Sequence, residues 1–312
     1  MTDLQVRFVG SMIGSALGDA IGELAFRTPQ EAALRQRVDV AENLVYTDDT
    51  AMAIGLAQSL VERRALDPDH LGDTFRTNYQ REPWRGYASG PPTLFQLVER
   101  ERISYVQAAQ GLFGDQGSFG NGAAMRVAPV GLYFHKTPDL YEQARGSAIV
   151  THAHPIGIDG AAIQAQAVAR AVNLDPDQPL NREAFLLALQ DKARTPEMKD
   201  KLAQVSALLA QGATDGQAAR QLGQGVAVHQ SLPFALYSYL RHPNSFEDCL
   251  LCAILNGGDR DTLGAMACAV SGAYLGAGAI PSSWWDRLEN RALIEDLARR
   301  LAEAVADRDD RD

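Results

Sequence analysis

Gly10, Gly14, Gly18 and Gly22 recur at every fourth residue of the first apolar run, and Gly264, Cys268, Gly272 and Gly276 repeat that spacing near the other end of the chain. Residues four apart share one face of an α-helix, so each set draws a line without bulky side chains along one helix. An interior glycine costs a helix about 1 kcal/mol relative to alanine. A helix carrying several of them therefore depends on tertiary compensation, and a glycine line offers close approach of another backbone. The two lines predict two central helices packed tightly against their neighbours. If they meet each other, the ends of the sequence come together.

Between these runs the apolar periodicity predicts helix after helix. The predicted spans are 48–64, 68–80, 92–100, 104–112, 121–133 with an interruption near Pro129, 139–151, 156–173, 181–191, 196–211, 215–223, 231–241 and 245–254. The late glycine helix and a terminal helix near 289–306 follow. Hydrophobic residues make up 46% of the chain and aromatics only 7%, a composition of close-packed helices rather than of strands built from β-branched and aromatic residues. The fold class expected is all-α. No Pro/Gly/Ser-rich linker divides the 312 residues, so one domain over 1–312 is expected, with a frayed acidic tail at 307–312. The polar stretch from Asp175 to Gln221 reads as a peripheral helical excursion.

With 39 acidic and 29 basic residues the net charge is −10, and no Lys/Arg stripe stands out, which argues against general nucleic-acid binding. Cys249, Cys252 and Cys268 are odd in number and lie in apolar helical sequence, so buried thiols in a reducing, cytoplasmic setting are expected rather than disulfides. Cys249-Leu250-Leu251-Cys252 has the spacing of half a zinc site but no second half. The N-terminus lacks a basic region before its apolar run, and the uncharged stretch Leu263–Pro281 is rich in Ala and Gly without a basic flank. Both read as buried helices, with no membrane segment.

Two acidic clusters carry the chemistry. Thr47-Asp48-Asp49-Thr50 and Asp259-Arg260-Asp261-Thr262 each open a long apolar helix, so each puts two carboxylates and a hydroxyl at a helix mouth. Capping alone would explain either one. The pair points further, because carboxylates brought together raise one another's pKa unless a cation compensates, and hard oxygen ligands suit Mg²⁺ or Mn²⁺. Two such ions would balance four carboxylates.

Gly117-Ser118-Phe119-Gly120-Asn121-Gly122 enters the segment Ala123-Ala124-Met125-Arg126, a Gly-rich helix entry whose free N–H groups suit a pyrophosphate. Ser118 and Asn121 are polar contacts, and Phe119 serves either to stack on a base or ribose or to pack the core. Arg126 would neutralise a phosphate or pair with a structural carboxylate. Thr151-His152-Ala153-His154 precedes another helix and fits ligand contact or capping. Trp284 and Trp285 follow Pro281 and read as a packed loop.

Taken together, these elements resemble the ADP-ribosylglycohydrolase family, which includes dinitrogenase-reductase-activating glycohydrolases and ADP-ribosylhydrolases. The resemblance rests on Gly18-Asp19-Ala20-Ile21-Gly22, Thr47-Asp48-Asp49-Thr50, Ser118 through Arg126, Thr151-His152, Ser231-Leu232-Pro233 and Gly257-Gly258-Asp259-Arg260-Asp261-Thr262. It implies a compact orthogonal helical fold with a binuclear Mg²⁺ or Mn²⁺ centre held by Thr47, Asp48, Asp49, Asp259, Asp261 and Thr262. It also implies substrate contacts from Ser118, Phe119, Gly120, Asn121, Gly122, Met125, Arg126 and His152. The implied reaction is hydrolysis at the anomeric carbon of the distal ribose of an ADP-ribosylated protein or small ADP-ribosyl compound, with Asp48 or Asp49 activating water. Family members often carry a glutamate four residues after the Gly-Asp-x-x-Gly motif, where this chain has Phe26. Either Glu23 supplies that catalytic carboxylate or the group is absent. Gln230 likewise stands where a glutamate is common.

Overall fold

The computed structural model describes residues 3–309. In chain order the helices are α1 (Asp3–Arg27), α2 (Glu31–Val40), α3 (Asp48–Arg63), α4 (Pro68–Arg81), α5 (Gly90–Glu101), α6 (Tyr105–Asp115), α7 (Ala128–Tyr133), α8 (Leu140–Ala148) and α9 (Pro155–Val172). They continue as α10 (Arg182–Lys192), α11 (Pro196–Ala210), α12 (Asp215–Leu222), α13 (Val228–Arg241), α14 (Phe246–Leu255), α15 (Arg260–Leu275), α16 (Ser282–Trp285) and α17 (Arg291–Asp309). Short 3₁₀ turns occupy Asn121–Ala123 and Ala277–Ala279. The fold is all-α, and extended pairing among the described residues is limited to two isolated bridges.

The two glycine lines meet each other. A Cβ on Gly10 would stand 2.4 Å from the Gly272 carbonyl oxygen, one on Gly14 2.7 Å from that of Cys268, and one on Gly18 2.2 Å from that of Gly264. As the α1 number rises its α15 partner falls, so the helices run antiparallel with backbones in van der Waals contact. Ser11 Oγ donates to the Ala269 carbonyl at 2.9 Å within this seam. Arg7 closes its far end by donating to the carbonyls of Tyr274 (2.5 Å) and Leu174 (2.9 Å). Around this pair α9, α13 and α14 pack on α15, while α17 and α3 pack on α1.

Several local features depart from the periodicity. Helix α2 appears where none was expected; it buries only Leu34 and Val38, an i,i+4 pair too small to register as a stripe. The span 121–133 is a 3₁₀ turn, a break and then α7, because Pro129 has no N–H to give a continuing helix and sits instead in the first turn of a new one. Trp284 and Trp285 lie on the short α16 rather than in a loop, with Trp284 buried. Helix α17 continues through Asp309, held by Arg308, which donates to the Tyr133 carbonyl at 3.0 Å and lies over that ring. The last residues of the expected frayed tail, 310–312, fall outside the described residues.

The excursion α10–α12 is anchored by a buried acid. Asp159 accepts from Tyr141 Oη (3.1 Å), Thr195 Oγ1 (2.5 Å) and the backbone N–H groups of Arg194 and Thr195 (3.1 and 2.7 Å). Its apolar face, including Phe185, Leu189, Met198 and Leu202, is buried.

Gly272→Ala should lower stability by at least about 2 kcal/mol, since its Cβ would stand 2.0 Å from the Gly10 carbonyl oxygen and neither backbone can retreat alone. Gly278→Ala, where nothing lies within 4 Å, should change stability by less than about 0.5 kcal/mol. Urea unfolding of both variants checks the contrast.

Candidate active site

The antiparallel register decides what happens at the C-terminal half of α1. Gly22 lies against Arg260 and Asp261, so this end of α1 meets the start of α15 and the acidic cluster there. One turn earlier, Asp19 is wholly buried and accepts from Thr47 N (3.0 Å), Thr47 Oγ1 (2.8 Å), Thr50 N (3.0 Å) and Thr50 Oγ1 (2.6 Å). Every partner is a donor, which suits the ionised carboxylate. Burial nevertheless pushes its pKa up to about 6, with these hydrogen bonds pulling against the rise. The result is a clamp that fixes the first turn of α3. Thr47 is the N-cap of that helix and also accepts from Asp49 N at 3.4 Å. Because its hydroxyl proton is committed to Asp19, its oxygen presents lone pairs to anything else that approaches.

The second acidic cluster is held by a strap over residues 223–228. Asp259 N donates to the Gln224 carbonyl at 2.8 Å. Gly258 has φ +72°, and a Cβ there would stand 2.2 Å from the Gln224 carbonyl oxygen, so both its backbone and the close approach require glycine. The same strap grips the Gly-rich loop: Asn121 N donates to the Val226 carbonyl (2.8 Å) and Val228 N to the Phe119 carbonyl (3.1 Å). Asn121 Nδ2 then donates to Asp259 Oδ2 at 2.7 Å, with Ser231 Oγ at 3.3 Å. Asn121, expected to touch substrate, lines the cavity and orients a carboxylate.

These elements enclose a cavity of about 330 Å³ lined by Asp48, Asp49, Asp259, Asp261 and Thr262 on one side. Ser118, Gly120, Asn121, Gly122, Met125, Arg126 and His152 line another side, and residues of the 86–91 loop, Leu112 and Phe113 complete it. Both acidic clusters and most of the Gly-rich loop therefore face one space. Burial, then Asp19, pushes Asp48 up to about 7. Burial, then Asp259, pushes Asp261 up to about 8. Burial, then Asp261, holds Asp49 well above the ordinary carboxyl range, and its Oδ2 is buried without a hydrogen-bond partner. The carboxylates face the cavity without clenching: no three of them bring ligating oxygens within 4.8 Å of one another.

Arg126 is the buried cation of this site, and it is committed elsewhere. It donates to the carbonyls of Gly122 (3.0 Å) and Ser147 (3.2 Å) and to Thr151 Oγ1 (2.7 Å), and it lies over the Phe75 ring. Among the described residues it makes no ion pair at contact distance, and burial pushes it down to about 9. Thr151 Oγ1 in turn lies 2.7 Å from His152 Nδ1. Since Arg126 can only donate, the Thr151 proton is free for Nδ1, which leaves the hydrogen of a neutral imidazole on Nε2. Burial and Arg126 hold His152 neutral, down to about 3. Gly122 makes room for it: a Cβ there would stand 2.9 Å from the imidazole.

Three expected residues are absent from the cavity lining: Thr47, which caps α3 beside Asp48, Glu23 and Phe119. Glu23 is exposed and does not line the cavity. Gly22 faces Asp261, and the next residue turns about 100° around the helix, away from that contact. Phe119 is 46% exposed, packs edge-on against His154 and near His229, and is also outside the lining. The aromatic that does line the cavity is Phe113, 63% exposed and at φ 55° where α6 breaks. No periodicity marks it. Asp19 left a clearer signal, as a lone acid within the glycine line of an apolar helix needs donors to be buried.

The chain matches known proteins over nearly its whole length. The model of the ADP-ribosylglycohydrolase family matches residues 1–311. The chain is 33% identical to the ADP-ribosylhydrolase ARH3 of Xenopus tropicalis, over 95% of this chain and 94% of that protein. It is 33% identical to ADP-ribosylhydrolase ARH3 of Homo sapiens, over 95% and 92%. A solved structure described as an ADP-ribosylglycohydrolase-related protein complex superposes with a TM-score of 0.75 at 25% identity, covering 98% of this chain and 100% of the other. The chain belongs to the ADP-ribosylglycohydrolase family.

Proposed function

We propose that this chain hydrolyses ADP-ribosyl compounds at the anomeric carbon of the distal ribose, releasing ADP-ribose. The observation that carries the reading is the convergence of Asp48 and Asp49 with Asp259 and Asp261 in one cavity, beside a Gly-rich loop and a neutral histidine. Family membership supports it, as does the similarity to ADP-ribosylhydrolases.

The donor set fits hard divalent cations. It consists of oxygens only, includes the partnerless buried Asp49 Oδ2, and has no ion-paired basic residue facing the carboxylates. Thr47, Asp48, Asp49, Asp259, Asp261 and Thr262 would hold two ions, Mg²⁺ or Mn²⁺, after side-chain rotations that draw the carboxylates inward. Bound there, such ions supply Lewis acidity and orientation of hydroxyl groups.

The chain's own groups do the rest. Asp19 orients the Thr47 hydroxyl, and Asn121 orients Asp259. His152 Nε2–H and the Ser118 hydroxyl, whose oxygen accepts from Gly120 N at 3.1 Å, donate to ribose or phosphate oxygens, while the exposed ring of Phe113 offers a face for a base. Asp48, less buried than Asp49, takes the proton from the attacking water. The carboxylates also stabilise positive charge developing on the ribose ring as the glycosidic bond breaks. Three buried free cysteines suit a reducing compartment, and no described helix is long and apolar enough to cross a membrane. The substrate is an ADP-ribosylated protein or a small ADP-ribosyl compound.

A second reading, a chain that binds ADP-ribose with little turnover, is favoured by the position of Glu23 outside the cavity. Incubation with arginine-linked, serine-linked, polymeric and O-acetyl ADP-ribose separates the two. ADP-ribose release from any of them supports the hydrolase, and tight binding with release from none supports the binder. In an active chain Asp261→Ala should lower turnover by at least about 100-fold, and Asn121→Ala should weaken cation affinity about 10- to 100-fold.

In chelated protein the cavity carboxyls keep their protons to higher pH when folded than when unfolded. Folding therefore takes up protons between the ordinary carboxyl range and about pH 8, and stability should fall as pH rises through that window. Added Mg²⁺ or Mn²⁺ should reverse the trend in wild type and leave Asp261→Ala unchanged, as read by thermal melts. A melting temperature indifferent to both pH and cation would remove the basis for a metal centre.

A further inference from the structure

Away from the cavity, three side chains of different chemistry meet where α12, α13 and α14 converge. Asp215 opens α12 behind its N-cap Thr214, His242 caps the C-terminus of α13, and Cys252 lies within α14. One ligating atom of each lies within 4.8 Å of the other two. His242 Nε2 stands 3.8 Å from Asp215 Oδ2, too far for a hydrogen bond, and that nitrogen is buried without a hydrogen-bond partner. Cys252 is buried with its thiol against the same carboxylate. Arg241 Nε approaches the other oxygen, Oδ1, at 3.9 Å, so Oδ2 is the oxygen turned to the histidine.

We propose that Asp215, His242 and Cys252 form a binding site for one divalent ion of the zinc class. A thiolate, an imidazole nitrogen and a carboxylate oxygen are the donors such an ion prefers, whereas Mg²⁺ and Mn²⁺ favour all-oxygen sets like the one in the cavity. Tetrahedral bonds of about 2.0 to 2.3 Å place neighbouring ligand atoms about 3.3 to 3.8 Å apart, a modest side-chain rotation from the observed spacing. Three protein ligands leave a fourth position for a water or exogenous ligand, beside the partly buried Asp215 and His242 side chains. On binding, the Cys252 S–H bond breaks, its proton passes to solvent, and a sulfur–metal bond forms with no change of oxidation state. The ion would tie α12, the last helix of the polar excursion, to α13 and α14. Helix α12 runs directly into the 223–228 strap, so the clip would steady the segment whose Gln224 carbonyl holds Asp259.

Co²⁺ is the probe, because cobalt bound to a thiolate gives a near-ultraviolet charge-transfer band that an all-oxygen site cannot produce. Metal-free, reduced, full-length protein titrated with Co²⁺ should show that band saturating at one equivalent and disappearing when Zn²⁺ is added. Cys252→Ser should abolish it, Cys249→Ser should retain it, and Asp261→Ala should retain it, which separates this site from the proposed cavity ions. Should Cys252→Ser not fold, His242→Gln at the partly exposed helix end carries the test, with affinity at least about 100-fold weaker. No thiolate band in the folded wild type, a band surviving Cys252→Ser, or unaltered affinity in His242→Gln would each overturn the site.

Discussion

The contact between α1 and α15 organises this molecule. Two helices with glycine or cysteine at every fourth position approach until carbonyl oxygens occupy the places where side chains would stand. Such proximity replaces side-chain packing with backbone dispersion over several turns and offsets the conformational entropy that glycine loses in a helix. It also fixes register, since a slip of one residue would set Cβ atoms against carbonyls. The antiparallel register brings the beginning and end of the chain side by side, and everything at the cavity follows from that.

Register alone does not aim a carboxylate. Two hydrogen-bonded devices do so, one for each acidic cluster. Asp19 gathers four donors from the first turn of α3, and the strap after α12 holds Asp259 by its backbone while Asn121 holds it by its side chain. Both are small satisfied polar networks within an apolar setting, where a missing partner costs far more than a present one gains. The Arg126–Thr151–His152 chain works by the same logic: a buried cation spends its donors on carbonyls and a hydroxyl, and in doing so sets which imidazole nitrogen carries hydrogen.

The electrostatics of the cavity are the converse of this satisfaction. Asp49 is buried and Asp48 and Asp261 are partly buried near like charge, with Arg126 the one buried cation in the lining and already committed. A fold that concentrates negative charge this way, and leaves a carboxylate oxygen with no partner, is under tension that only protons or a cation relieve. Asp159 shows the alternative outcome for a buried acid: surrounded by donors, it serves to anchor the excursion.

Much of this was legible in residue order. Four-residue glycine spacing named the central pair, apolar periodicity gave the all-α class and nearly every helix, and the Thr-Asp-Asp-Thr and Asp-Arg-Asp-Thr clusters named the cavity acids, because these are local properties of a 3.6-residue helix and its first turn. Helix α2, with two buried residues, was too weak a pattern to see, and Pro129 marked a break without showing that the preceding turn would be 3₁₀. What only the tertiary structure decided was direction and partnership. That Glu23 points to solvent, that Phe113 rather than Phe119 lines the cavity, that Asn121 serves Asp259, and that Asp215, His242 and Cys252 meet are outcomes of how separate helices are rotated and docked. Spacing along a chain fixes which face a side chain shares with its neighbours in sequence. It carries no information about which distant face comes to lie opposite, because that is settled by the packing of the whole core.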